Sequence, residues 1–416
     1  MPHTTAAGDA PAALAELRRL RGADPAALAA VRDVVVVASS SRGGSSMVGE
    51  LLRRVPGLVH LSAEINPLFV AAGLCPGRER AALEGELAAD LGVPAAPLDD
   101  GAREDLCLQA AWRLVLQWPQ AGIDVDAVRR EAARVVDRTT TFDRATFMLE
   151  LLAAVPAADP WYYDVPAALV AERFPRRPVP DGPPGEALVE MPPFVLPRPW
   201  RRASAAELAA GTVVLTTPRN SYRLPFLRSL FPHARLRVVH LVRNPAAAVN
   251  GLVDGWLHRG FFNVAVDRPL RITGYSDRFP WGDRWWNYDF PPDWESLVDL
   301  PLALVGAAQW RSTHEAALAA VDELGLEVLR LRFEDLTGPA DRRAPAVAAV
   351  ADYLGLDPGA TSSIAEAALP PVMATEPPRP GRWRRRAGEL APVLQDRATL
   401  ELAERLGYEP RPDGWE

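Results

Sequence analysis

Lysine is missing from the sequence altogether: all 46 basic residues are arginine. Arginine stays protonated at any working pH and offers a planar fork to phosphate or sulfate, but it does not serve as a readily deprotonated base. A proton acceptor therefore has to be Glu, Asp, His or Tyr. Cysteine is almost missing too. Cys75 and Cys107 make neither a disulfide framework nor a zinc signature, so a reducing cytoplasm is the expected setting. Basic excess is lacking: the net charge of −7 argues against a chain that coats nucleic acid or an anionic membrane. No long apolar run suggests a signal peptide or a membrane span. Abundant Ala, Pro and Arg point to GC-rich coding and a bacterial source, and Met1–Asp9 is expected to be a loose tail.

Buried-strand patterns are plentiful. Pro11–Val31 reads as helix with a break near Gly22–Asp24, and "DVVVVAS" then forms a continuous apolar run suited to a strand covered on both faces of a parallel sheet. Met47, Val48, Leu51 and Leu52 fall at helical spacing before Pro56-Gly57, and "LVHLSAE" supplies a second strand. Strand, glycine loop, helix and strand in that order imply a βαβ unit. "TVVLTTP", "LRVVHLVRNP" and "LEVLRLRFEDL" repeat the strand pattern. The expected fold class is α/β, a central parallel β-sheet flanked by helices. After an N-terminal tail and helix over 1–30, residues 31–416 read as one domain. It carries a helical insertion at about 76–207 and an aromatic loop insertion at about 261–300. That aromatic stretch reads either as a binding wall or lid or as a packed surface excursion.

The chemistry begins in "VVVVASSSRGGSSMVGELL". Amides at Gly43, Gly44, Ser45 and Ser46 and the N-terminus of the next helix suit an anion; the serines add hydroxyl donors and Arg42 adds charge. A nucleotide kinase loop would read G-x-x-x-x-G-K-[ST], and no lysine exists to complete it. The bland alternative is a tight strand-to-helix turn.

R-G-G-S-S-M-V-G-E-L-L resembles the 5′-phosphosulfate loop of sulfotransferases, notably the carbohydrate-type enzymes. "RLPFLRSLFPHARLRVVHLVRNPAAAVNGL" is similar to the 3′-phosphate region of the same family, and Arg243 matches its phosphate-binding arginine. A serine usual eight residues on is Gly251 here, with Asn250 beside it. "LRFEDLTGPADRRAPAVAAVADYLGLD" resembles the family's E-D-L turn and helix. "RPGRWRRRAGEL" resembles its nucleotide-covering loop, which implies donor contacts from Gly381, Arg382, Trp383 and Arg384. Such an arginine run is otherwise a solvated face.

The resemblance implies a P-loop-like sulfotransferase architecture. It also implies 3′-phosphoadenosine 5′-phosphosulfate (PAPS) as donor and transfer of its sulfuryl group to a hydroxyl of a carbohydrate or small secondary metabolite. No metal-ligand spacing is present, and the reaction needs no metal. Arg42 suits stabilisation of the leaving phosphate. Glu64, ending the strand in "HLSAEINPLF", is the expected base, with His258 a second candidate for base or acceptor contact. Glu64 also reads as a capping or arginine-pairing carboxylate, while His60 and His240 read as core. A kinase-like phosphotransferase and a non-catalytic nucleotide-binding protein remain as alternatives.

Overall fold

The computed structural model describes residues 10–22, 24–75, 77–95, 97–138, 141–185, 188–357, 359, 361, 372–376 and 379–415. The expected tail, Met1–Asp9, lies outside the described residues. The break expected near Gly22–Asp24 separates an α-helix, Ala10–Arg21, from a 3-10 turn, Pro25–Ala30, capped by the Asp24 carboxylate.

The chain is α/β, with a mostly parallel sheet of seven strands flanked by helices. The strands are β1 (Asp33–Ala38), β2 (Leu58–Leu61), β3 (Leu91–Pro94), β4 (Trp200–Arg202), β5 (Thr212–Thr216), β6 (Arg235–Val242) and β7 (Glu327–Arg332). Their order is β4-β3-β2-β5-β1-β6-β7. Two of them, β3 and β4, fall inside the stretch read from sequence as helical insertion, and they pair antiparallel, β2 with β3 and β3 with β4. Segments of four and three residues are too short to display an alternating pattern, which is why the sequence hid them.

Chain contacts divide the protein into two compact units. The first comprises residues 1–32, 59–213 and 259–267. Its helices Asp100–Gln117, Val125–Arg138 and Arg144–Ala154 bury apolar faces against one another, including Leu106, Val128, Val136 and Phe147. The N-terminal helix is fixed by charge: the buried Arg21 guanidinium stacks on Trp112 at 4.2 Å and donates to Glu86 and Asp90. Asp90 in turn accepts from the Ser62 hydroxyl at 2.6 Å. Arg18 pairs with Glu86 as well, so two cations face two buried carboxylates and leave no net charge desolvated, the condition under which such a network is tolerated.

The second unit comprises residues 33–58, 214–258 and 268–416. Its core is β1 and β6, buried along nearly their whole length, with Met47, Val48, Leu51 and Leu52 of helix Ser45–Leu52 and Val347, Val350 and Leu354 of helix Ala340–Leu354 packed on them. Burial of each such side chain contributes about 1.5–3 kcal/mol. From Arg268 onward the aromatic stretch places Tyr275, Trp285, Trp286 and Tyr288 in the core and leaves Phe279, Trp281, Phe290 and Trp294 half-buried. Trp256 meets Tyr275 and Trp286 edge-on at 4.8 and 5.3 Å, and all three are buried. Gln309, also buried, joins the same cluster: its side chain accepts from Trp256 Nε1 and donates to the carbonyls of Asn287 and Asp289.

His240 is core, as expected. Its Nε2 lies 2.9 Å from His314 Nδ1 and both rings are buried, so one nitrogen donates and the other accepts within a neutral pair. Burial first, and the Arg330 charge second, push His240 down to about 3; burial likewise holds His314 well below the ordinary imidazole value. Folded-state values below the unfolded one mean stability that is present above about pH 6.5 and lost as pH falls, up to about 1.4 kcal/mol per pH unit for each ring. Urea denaturation at pH 7 and pH 5 should show this loss. A His240→Leu variant should show a smaller difference between the two pH values.

Candidate functional site: an arginine cluster behind a glycine loop

Register decides where the candidate residues meet. β1 and β6 pair in parallel with Ala38 opposite His240, and β6 and β7 with Val242 opposite Arg332. The loop after β1, the Arg243-Asn244 turn after β6 and Phe333-Glu334 after β7 therefore all leave the sheet at the carboxyl ends of neighbouring strands. That is where open α/β sheets place ligands.

Loop 39–44 is tightly built. Ser39, Ser40 and Ser41 are buried, and the Gly43 amide closes a turn onto the Ser40 carbonyl at 3.0 Å. Arg42 and Gly44 both have positive φ, 62° and 104°. A Cβ on Gly43 would sit 2.2 Å from Ser39 Oγ, and one on Gly44 2.3 Å from the Phe333 ring, so both positions need glycine. Helix Ser45–Leu52 follows with no side-chain cap. Its first amides face outward with the positive end of the helix dipole. The Ser41 amide is already used: it donates to Asp289 Oδ2 at 2.8 Å. Asp289 is fully buried, and desolvation raises its pKa against the pull of that amide.

Arg243 is the central cation. Its guanidinium lies over the Phe333 ring at 4.5 Å, and its Nη1 donates to the Arg42 carbonyl at 3.0 Å. Its Nε is buried with no hydrogen-bond partner among the described residues, and Arg243 makes no ion pair there. Desolvation, together with the charges of Arg42 and Arg382, brings its pKa down to about 10, although Glu334 pulls the other way. Arg42, Arg243 and Arg382 thus share one region and repel one another. Glu334 is occupied in building: it accepts from the Asn244 amide and side chain and from the Tyr408 hydroxyl.

Helix Pro245–Trp256 supplies the adjoining wall, capped by Asn244. A Cβ on Gly251 would lie 3.2 Å from Arg42 Cβ and 3.9 Å from Arg243 Nη1. Glycine there avoids a tight contact with Arg42, whose backbone is left-handed. Asn250 accepts from Arg386 at 2.7 Å. Gly381 has φ 62° and starts a 3-10 turn, Arg382–Arg386; Trp383 is buried, while Arg384 lies over the Trp383 ring and donates to the Trp415 carbonyl. Arg382 joins the cluster through Asp254, and Arg384 is directed elsewhere. Desolvation, then the Arg42 charge, lowers the His258 pKa, so that imidazole is neutral at pH 7 and close enough to Arg42 to feel it.

Glu64 belongs to the other unit. Its Oε2 accepts from Asn66 at 3.4 Å, and its charge acts on Glu190. Glu190 is buried, pairs with Arg113 and accepts from Gln117 at 3.1 Å. Burial lifts it to about 7 against those two groups, with Glu64 adding to the rise. Sequence reasoning missed Glu190, Asp289, Asp254, Arg386 and Phe333. Only Asn250 and Asp254, four apart on one helix, left a readable signal. No group of three or more His, Cys, Asp or Glu able to hold a metal occurs among the described residues, and no described helix is long and apolar enough to cross a membrane.

No protein-family model and no curated protein matches the chain. Among solved structures it is similar to the "Sulfotransferase Domain from the Synechococcus PCC 7002 Olefin Synthase", at 15% sequence identity and a TM-score of 0.40, over 91% of this chain and 95% of that one. A likeness of that depth says nothing about activity, donor or acceptor.

The loop's dependence on glycine is directly testable. Gly44→Ala forces positive φ on alanine and drives its methyl into Phe333, which carries Arg243. A stability loss of about 2 kcal/mol or more is expected in urea denaturation. A loss below about 0.5 kcal/mol would contradict the crowding.

Proposed function

We propose that the protein is a sulfotransferase that uses PAPS and transfers its sulfuryl group to a hydroxyl of a carbohydrate or small-molecule acceptor. The observation that carries this reading is Arg243, a desolvated guanidinium with no ion-paired carboxylate among the described residues, beside Arg42 and Arg382. Three mutually repelling cations are stabilised together by a multiply charged anion. The glycine loop adds a second anion-binding element, so the site suits a ligand with two phosphate groups.

In this reading the donor's phosphosulfate end takes the amides and hydroxyls of Ser45 and Ser46 with Arg42, and its 3′-phosphate takes Arg243 and Arg382. PAPS supplies the sulfuryl group. The chain's own residues orient it and neutralise charge that grows on the leaving phosphate. Arg42 does this electrostatically, since a guanidinium does not give up its proton. Two side chains are suited to accept the acceptor's proton: Glu64, and His258, whose depressed pKa keeps it deprotonated at neutral pH.

Titration calorimetry with 3′-phosphoadenosine 5′-phosphate, adenosine 5′-phosphate and ATP tests the donor. Selective binding of the bisphosphate is expected, weakened about tenfold to a hundredfold in Arg243→Ala as its charge-assisted hydrogen bonds are lost. Preference for ATP would favour the kinase-like reading. Selective binding with no transfer to any hydroxyl acceptor would favour the non-catalytic one.

The base is separated by pH. If Glu64 takes the proton, Glu64→Gln lowers kcat by about a hundredfold or more while His258→Gln keeps the wild-type profile. The reverse pattern assigns the role to His258, with activity then persisting below pH 6.5 because its pKa is depressed.

A further inference from the structure

One carboxylate stands where the cations gather. Asp254 lies in the last turn of helix Pro245–Trp256, a place where the helix dipole disfavours negative charge, and its side chain is only 10% exposed. It divides its two oxygens between two arginines: Oδ2 accepts from Arg382, and Oδ1 accepts from Arg386 at 2.7 Å. Asn250, one turn earlier, completes the arrangement, its Nδ2 donating to Asp254 Oδ2 at 3.2 Å and its Oδ1 accepting from Arg386 at 2.7 Å. Both arginines come from the short turn Arg382–Arg386, entered through the positive φ of Gly381. On the outer side Glu376 pairs with Arg385 at 2.7 Å and reaches Arg382 at 3.7 Å.

We propose that Asp254 is a positioning residue that clamps Arg382 and Arg386 onto the helix carrying Gly251, so that the cationic cluster is assembled before an anion arrives and is ready for a phosphomonoester. This rests on the donor reading above and deepens it. The physical argument is one of assembly. Arg382 lies near Arg243 and Arg42, and the three charges oppose one another. Left alone, the segment carrying Arg382 would be driven off, and each ligand would have to draw it back.

A carboxylate bonded to two guanidinia offsets the repulsion, while Arg243 itself keeps no ion pair among the described residues. A dianionic phosphate would supply the countercharge that Arg243 lacks there.

The test uses the full chain and two probes, 3′-phosphoadenosine 5′-phosphate and adenosine 5′-phosphate, with the variants Asp254→Asn and Arg386→Gln. For both variants the bisphosphate should bind about fivefold to tenfold more weakly, as expected when preorganisation rather than a direct contact is lost. Affinity for the monophosphate should stay within about twofold, since a merely structural role would lower both affinities alike. Hydrogen exchange without ligand should speed up over Arg382–Arg386 and remain unchanged over β1.

Three results would overturn the clamp: equal weakening of both nucleotides, tighter binding of the bisphosphate, or unchanged exchange in that turn. Tighter binding would mean that Asp254 competes with the ligand. Failure of the donor reading looks different. The wild type would then not distinguish the two nucleotides, while the exchange measurement would still decide whether Asp254 holds the turn.

Discussion

Parallel pairing of β1, β6 and β7 is the constraint on which the second unit depends. Each pair is in register over its length, so three chain segments leave the sheet at one level. The first becomes the serine and glycine loop, the second presents Arg243, and the third brings Phe333 under Arg243 and Glu334 to Asn244. A shift of one residue in either pairing would exchange the side chains packed on the two covered faces and move Arg243 from its ring. Core packing and site geometry are thus set by the same hydrogen-bond ladder.

Around that ladder the protein uses buried polar groups as fasteners. Asp289 is fixed by Gln309 and the Trp256 cluster, and it holds the Ser41 amide next to the left-handed Arg42. Glu334 joins the turn after β6 to Tyr408. Asp254 joins the turn Arg382–Arg386 to helix Pro245–Trp256. In each case a carboxylate is spent on amides, hydroxyls or guanidinia of the framework, and Arg243 is left without an ion pair among the described residues. Desolvating a cation whose nearest carboxylate, Glu334, is occupied elsewhere is costly in any fold. The arrangement makes sense when the countercharge is a ligand.

Much of this was legible beforehand for physical reasons. Continuous valine runs report strands buried on both faces, and glycine at positions 43 and 44 reports a backbone that no side chain tolerates. The His240 ring was readable as core because it falls within such a run. Other features were not readable. Antiparallel β3 and β4 are too short to carry a period. The aromatic stretch contains no repeat that distinguishes a mobile wall from packed core; Tyr275 and Trp286 are core because Trp256, at the end of the preceding helix, provides the surface they cover.

The sequence by itself determined the α/β class, the absence of a lysine-based phosphate loop and the all-arginine set of cations, because apolar periodicity and side-chain charge are properties of local residues. Tertiary structure decided which arginines act together. Arg243 meets Arg42, 201 residues earlier, through one hydrogen bond, and Arg386 meets Asp254, 132 residues earlier. Arg382 and Arg384 look equivalent in "GRWRRR". They part because a 3-10 turn sends one toward Asp254 and the other toward the Trp415 carbonyl. Long-range pairing of this kind leaves no periodic trace in a chain, since it depends on where the strands end and which helix lies opposite.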